Sequence, residues 1–234
     1  MNTEFVICDS ADDVTRKASE LIQSLCSSAL TARSSASLAV SGGSTPQALF
    51  KLWQTETFPN LESVHVFMSD DRLVLTSSTD SNAGTMLRQW PDVHKSQLHL
   101  PDFNLQEPEI AIQYQQTLVE TLGEQPVFDC IMLGLGEDGH TASLFPGQGS
   151  LSDQNLVCVA DHGSLPPPVK RLTFTYRCIN MADNVVVIAT GQKKRKWIDA
   201  VLAGVVDTWA FPLSGVRPKG KLWFILDQAA WPKA

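Results

Sequence analysis

The stretch Leu133-Gly134-Leu135-Gly136-Glu137-Asp138-Gly139-His140-Thr141-Ala142-Ser143-Leu144-Phe145-Pro146-Gly147 decides how this chain is read. Ahead of it, the apolar run from Val127 to Leu133 has the form of a buried strand. Three closely spaced glycines follow, and glycine lets a backbone turn sharply and approach a ligand closely. Asp138 and His140 then arrive together at the carboxyl end of the strand. Histidine can move a proton near neutral pH, so this corner is a candidate catalytic site.

Working outward, strands and helices alternate. Residues 4–7 form a short strand candidate. Asp12 and Asp13 then open a helical pattern with Val14, Ala18, Leu21, Ile22, Leu25 and Ala29 on one face. Residues 36–41 and 65–68 read as strands. Between them Ser44-Thr45-Pro46 opens a helix through about residue 54, with Ser or Thr suited to the cap and Pro to the first helical position. Residues 107–122 carry Ile110, Ile112, Tyr114, Leu118 and Leu122 at helical spacing. Beyond the glycine-rich run come strand candidates at 155–160, 171–177, 185–188 and 222–226, and a helix over 193–202. Val185-Val186-Val187-Ile188 is apolar throughout, as in a strand covered on both faces. The alternation predicts an α/β fold with a largely parallel sheet flanked by helices. Pro166-Pro167-Pro168 reads as a stiff loop rather than a boundary, because strand patterning continues on both sides. There is no repeat and no low-complexity tail, so the expectation is one domain over residues 1–234.

Composition narrows the partners. The formal net charge is -7 and no long basic block occurs. A nucleic-acid-binding domain usually carries a basic surface, so that partner is not expected. An anionic metabolite remains open, since a few local cations suffice to hold one. The five cysteines, Cys8, Cys26, Cys130, Cys158 and Cys178, are odd in number and lack Cys-x-x-Cys spacing. Free thiols in apolar runs behave as small hydrophobes, which fits a reducing cytoplasm better than a disulfide framework. The N-terminus lacks the pattern of a signal peptide. No apolar run approaches the ~18 residues of a spanning helix, so no membrane association is expected. No Cys/His spacing has zinc-site form and no acidic run makes a calcium loop, so neither metal nor cofactor is expected. Of the remaining histidines, His65 sits in strand alternation, while His94, His99 and His162 fall near predicted loops.

Four other segments carry residues suited to chemistry. Ser41-Gly42-Gly43-Ser44-Thr45-Pro46 lies between a strand and a helix, where backbone N–H groups and a helix N-terminus can surround an anion. It matches neither the dinucleotide fingerprint nor the Walker pattern, and by itself it is equally readable as a plain strand-to-helix turn. Ser69-Asp70-Asp71-Arg72 ends the third strand, at the edge that lines the ligand crevice in open α/β sheets. Arg72 is suited to paired hydrogen bonds with phosphate or a carboxylate; an exposed acid-rich turn is the simpler reading. Arg171 starts the 171–177 strand. Thr190-Gly191-Gln192-Lys193-Lys194-Arg195-Lys196 reads as the solvated first turn of a helix rather than a nucleic-acid patch.

The 133–147 run closely resembles the Gly-x-Gly-x-Asp-Gly-His-Thr-Ala-Ser-Leu-Phe-Pro motif of the 6-phosphogluconolactonases, which hydrolyse 6-phosphoglucono-δ-lactone in the pentose phosphate pathway. Four more segments are similar to that family in the same order. They are Ser41–Pro46, Asp70–Arg72 with Asp80-Ser81-Asn82 downstream, Arg171-Leu172-Thr173-Phe174-Thr175, and Gly191 with Lys194. Similarity at Leu213 and Leu222–Ala230 extends the match over most of the chain. The resemblance implies a Rossmann-like fold related to sugar-phosphate isomerases, with no nucleotide and no required metal. It makes His140 the general base, with Asp138 either orienting it or forming the turn. It assigns a phosphosugar lactone to Gly42, Gly43, Ser44, Thr45, Asp70, Arg72, Asn82, Arg171 and Lys194, and it turns Lys194 inward while the other three cations of that run face water. Where the family usually has Asp-Glu-Arg, this chain has Asp71 in the middle, a shorter arm whose role stays open. Glucosamine-6-phosphate deaminases share the Asp-Gly-His arrangement, but typically continue Phe-Asn-Glu-Pro and carry Asp-Glu-Tyr at the earlier site. A non-catalytic sugar-phosphate sensor on the same fold would usually add a basic DNA-binding segment, which the sequence lacks. Oligomeric state is not legible.

Overall fold

In a computed structural model, which describes residues 2–162 and 167–232, the apolar runs become strands and the 3.6-period segments become helices. In chain order the elements are β1 (Asn2–Cys8), α1 (Ala11–Arg33), β2 (Ala36–Val40), α2 (Ser44–Thr55), β3 (Val64–Met68), β4 (Asp70–Arg72), α3 (Asn82–Gln89), β5 (Gln97–His99), α4 (Glu109–Leu122), β6 (Cys130–Gly134), β7 (Val157–Ala160), β8 (Arg171–Phe174), α5 (Tyr176–Ile179), β9 (Asn184–Ala189), α6 (Arg195–Leu202) and β10 (Lys221–Asp227). Helix α1 starts where Ser10 Oγ accepts the backbone N–H of Asp13, and it ends where Ser34 turns left-handed. Its acidic first turn and Arg33 in the last turn both complement the helix dipole.

Seven strands pair in the order β1-β10-β9-β6-β2-β3-β5, and every pairing in this sheet is parallel. Both faces are covered, as the apolar runs require. Alternate residues divide between two cores: Cys130 and Met132 of β6 pack on the side of α1 and α2, and Ile131 and Leu133 on the side of α4 and α5. A second sheet, ordered β4-β8-β7, is antiparallel. The strands expected at 155–160 and 171–177 therefore belong to this small sheet and not to the main one. Ser69 joins the two sheets, donating its N–H to Val40 O and accepting that of Phe174.

The elements differ from the sequence expectation in several local respects. The strand read as starting at Val127 starts at Cys130, and Val127 is exposed. Strand 171–177 stops at Phe174, because Thr175 Oγ1 caps the one-turn helix α5. Pro46 occupies the third helical position of α2, since Gly43 takes the cap. Ile112 points to solvent while Ile110, Tyr114 and Leu118 bury the other face of α4. Of the proline run, Pro166 lies outside the described residues. Among the described residues no helix is long and apolar enough to cross a membrane.

The topology opens a crevice. Strand β2 has β3 on one side and β6 on the other, so the chain winds in opposite directions from this point. The β2–β6 ladder stops at Ala39 and Ile131, although β2 runs on to Val40 and β6 to Gly134. Beyond this parting lie the two glycine-rich turns.

Candidate functional site

At the carboxyl ends of β2, β6 and β9 lies a cavity of about 370 Å³. Its wall includes every residue assigned to substrate on the sequence: Gly42, Gly43, Ser44, Thr45, Asp70, Arg72, Asn82, Arg171 and Lys194, and His140 with them. Asp138 stands behind the wall, bonded to His140.

The histidine corner is built on glycine. After β6 the chain turns back so that Gly136 donates its N–H to His140 O at 2.8 Å. A Cβ on Gly136 would fall 2.0 Å from His140 Nδ1 and 2.6 Å from Asp138 Oδ1, so only glycine leaves room for the pair. Gly139 needs a positive φ of 89° and rests against Trp197 and Phe211, whose rings stack at 4.7 Å. Trp197 Nε1 also donates to Glu137 O. Asp138 Oδ1 accepts both the backbone N–H of His140, at 3.1 Å, and its ring Nδ1. Burial works against the Asp138 charge, but the hydrogen bonds and charge attraction from His140 outweigh it and hold the carboxyl below its usual range. An ionised carboxylate only accepts, so Nδ1 carries the ring proton. Nε2 is left as the basic nitrogen, without a partner among the described residues.

The cationic side of the cavity comes from the start of α2, strands β4 and β8, and the turn before α6. Helix α2 has no side-chain cap and no acid in its first turn, so its leading N–H groups at Ser44 and Thr45 are unused by the helix itself. Ser41 Oγ is buried beside them with no partner among the described residues. Strands β4 and β8 pair Asp70 with Thr173 and Arg72 with Arg171. Strand alternation then gives these four side chains one common face. Two guanidiniums on one rung repel; burial, and next the charge of Arg72, make Arg171 less ready to hold its proton than a free guanidinium. Such a wall suits a doubly charged anion. Lys194, half-buried on the turn before α6, has no ion-pair partner among the described residues, and burial lowers its pKa. Its neighbour Lys193 is exposed and paired with Glu137 at 3.1 Å. Lys196 is also exposed and lies over the Trp197 ring. Arg195, expected in water, is half-buried and donates to Ala229 O.

Asp71 has a different job. Alternation turns it away from the cavity, fully buried. It accepts the backbone N–H groups of Arg72, Asn82 and Ala83 and the hydroxyl of Ser81. Burial pushes its carboxyl up to about 6, against the pull of the three backbone donors. It thus anchors the start of α3, which aims Asn82 at the site. Asn82 donates to Asp70 O at 3.1 Å and accepts from Arg72 Nη1. A Cβ on Gly42 would collide with the Asn82 amide at 1.9 Å.

Residues not singled out from sequence also shape the site. Ser143, wholly buried, donates its hydroxyl to Asp70 Oδ2 at 2.8 Å and its N–H to Thr173 Oγ1 at 3.1 Å. Phe145 packs against His140. Their place inside the glycine-rich run was the only signal available.

A cavity at the strand ends of a parallel sheet, with arginines and a lysine on its wall and a histidine backed by an aspartate, is that of an α/β enzyme suited to a small anionic substrate. The chain belongs to the family described as glucosamine-6-phosphate isomerases/6-phosphogluconolactonase, whose model matches residues 9–224. A 6-phosphogluconolactonase of Synechocystis sp. is 34% identical over 215 residues, 86% of each chain. The structure of 6-phosphogluconolactonase from Trypanosoma cruzi aligns with a TM-score of 0.88 at 27% identity, covering 98% of this chain and 97% of that one. A monomeric glucosamine-6-phosphate deaminase aligns with a TM-score of 0.80 over 98% of each chain at 20% identity, which is a likeness of fold alone.

Proposed function

We propose that this chain hydrolyses 6-phosphoglucono-δ-lactone to 6-phosphogluconate, the lactone-opening step of the oxidative pentose phosphate pathway. The observation that carries the reading is the orientation of His140. Its Nδ1 is tied to Asp138, which leaves Nε2 as the nitrogen for chemistry, and its ring lines a cavity whose other walls carry Arg72, Arg171, Lys194 and the start of α2. Hydrolysis of this cyclic ester needs an activated water and a fixed ring. His140 Nε2 takes a proton from water as the water oxygen bonds to the lactone carbonyl carbon. The tetrahedral adduct collapses with cleavage of the bond to the ring oxygen, and the imidazolium returns its proton to that oxygen. Asp138 stabilises the imidazolium between the two transfers. The cationic wall holds the remote phosphate, and Asp70 and Asn82 face the sugar hydroxyls.

The family model is shared with glucosamine-6-phosphate isomerases, but the deaminase structure is alike in fold alone and the relatives at 34% identity are 6-phosphogluconolactonases, so the deaminase reading is not favoured. The substrate is a small phosphosugar lactone rather than a nucleic acid. Five free, buried thiols fit a reducing cytoplasm.

The test is acid release from freshly made 6-phosphoglucono-δ-lactone, compared with its spontaneous opening. The protein should accelerate it strongly, and His140→Ala should lose ~100- to 10,000-fold while staying folded. No acceleration by the intact protein would overturn the function. Near-normal turnover of His140→Ala would remove His140 as the base.

A further inference from the structure

The proposed mechanism gives His140 and Arg171 separate tasks, yet one side chain touches both. Phe145 is 2% exposed and makes no use of solvent. Its ring centroid lies 4.7 Å from that of the His140 imidazole, with the planes tilted by 45°. The Arg171 guanidinium carbon lies 5.5 Å from the same centroid. The first contact is within the range of aromatic pairs and the second within that of cation–π pairs. Phe145 is also five residues from His140 on the same turn-rich segment, whereas Arg171 comes from β8 of the small sheet.

We propose that Phe145 is a positioning residue for the lactonase reaction, bracing the imidazole of the base and the guanidinium of the anion-binding arginine on a single buried ring. This rests on the function proposed above for the same cavity. Two consequences follow from ring electrostatics. A ring π-system attracts cations, so it stabilises His140 in its protonated form, which is the state between the two proton transfers. The same ring holds the Arg171 guanidinium by the second contact. The other charged groups around His140 are Asp138 behind it and Glu137, Lys194, Asp70 and Arg72 on the cavity wall. None of these is altered when Phe145 is replaced by an aliphatic residue.

The experiment is Phe145→Leu, with Phe145→Tyr as the variant that keeps the ring. In Phe145→Leu, loss of the ring disfavours the imidazolium, so the base stays neutral to lower pH. The acidic limb of kcat/KM should move down by about half a pH unit or more. KM for 6-phosphoglucono-δ-lactone should rise several-fold, while KM for unphosphorylated glucono-δ-lactone changes little. Phe145→Tyr should restore both values towards those of the unaltered protein. An unshifted limb with a uniform loss of kcat would reduce Phe145 to packing and overturn the proposal. Phe145→Met, closer in volume, carries the same comparison if Phe145→Leu melts below the assay temperature. Titration of the His140 ring resonances in the same variants reads the imidazole directly. It needs no turnover, so a failed lactonase reading and a failed bracing role give different results.

Discussion

Replacing Gly136 by alanine tests the histidine corner without removing any functional group. Gly136 does not have the positive φ that Gly139 does, so alanine is compatible with its backbone. The conflict is with side chains alone. The new methyl carbon would stand 2.0 Å from Nδ1 and 2.2 Å from Cε1 of His140, and 2.6 Å from Asp138 Oδ1. Non-bonded contacts between such atoms settle at roughly 3.5 Å, so the imidazole must retreat by more than about 1 Å. That breaks the Nδ1 hydrogen bond to Asp138 and moves Nε2 off its line into the cavity. A misplacement of about 1 Å costs on the order of 100-fold, and losing the base outright costs up to ~10,000-fold. We therefore expect kcat for acid release from 6-phosphoglucono-δ-lactone to fall ~100-fold or more. Binding of 6-phosphogluconate, measured by calorimetry, should stay within a few-fold, because the cationic wall is untouched. A Gly136→Ala protein with near-normal kcat would refute the claim that the imidazole must sit where the structure has it.

Asp71→Ala strips the acceptor from three backbone N–H groups and a buried hydroxyl; at ~1–3 kcal/mol for a buried unsatisfied group, the urea-unfolding free energy should drop by about 3 kcal/mol or more, and a change below 1 kcal/mol would contradict the anchoring role. Lys194→Ala should weaken 6-phosphogluconate binding about tenfold, at roughly 1.5–3 kcal/mol for a charge-assisted hydrogen bond, whereas Lys193→Ala, which removes only an exposed pair with Glu137, should change it less than twofold; the reverse ranking would overturn the register of this turn. His65 and His99, whose rings meet at Nδ1 and Nε2 3.0 Å apart, both have pKa values lowered by burial. A folded-state value below the unfolded one means that their stabilisation is complete above about pH 6.5 and lost as pH falls towards the folded values. Chemical denaturation at pH 8 and pH 5.5 should show that loss, and His99→Gln should reduce it.

How much was legible follows the range of the signal. The helix of 23 residues and the apolar runs of β2, β3, β6, β9 and β10 carry their own periodicity, and their segments were found to within a few residues. Strand β4 is three residues, all charged, and becomes a strand only by pairing with β8, far along the chain. Strand β5 and helix α3 are likewise short and polar, and His99 fell where the sequence suggested only a loop. Local patterning has no access to such partners, which is why the antiparallel sheet went unread. The site was more legible because glycines and charges cluster at strand ends, and a parallel sheet gathers its strand ends in one place. Asp71 is the instructive exception. It sits among residues that line the cavity, and only the two-residue alternation of a strand invisible in the sequence turns it inward to α3.

The rung shared by Arg72 and Arg171 has a thermodynamic consequence for the protein as a whole. Among the described residues β4 pairs in its sheet with β8 alone, and that rung is one of the three between them, with Leu73 donating its N–H to Lys170 O just beyond. The charge of Arg72 acts against Arg171 there while Asp70, Asp71 and Asp80 favour it, and on the function proposed above a dianion between the two guanidiniums would add an attraction across the rung. Ligand occupancy and the integrity of the small sheet would then be one equilibrium observed from two sides. At a hundredfold excess over Kd, binding to the folded form adds about 2.7 kcal/mol of stability. Resistance to proteolysis in the 70s segment would accordingly track the supply of phosphorylated sugar acid, and that ligand would then bear on how long the protein survives as well as on what it turns over.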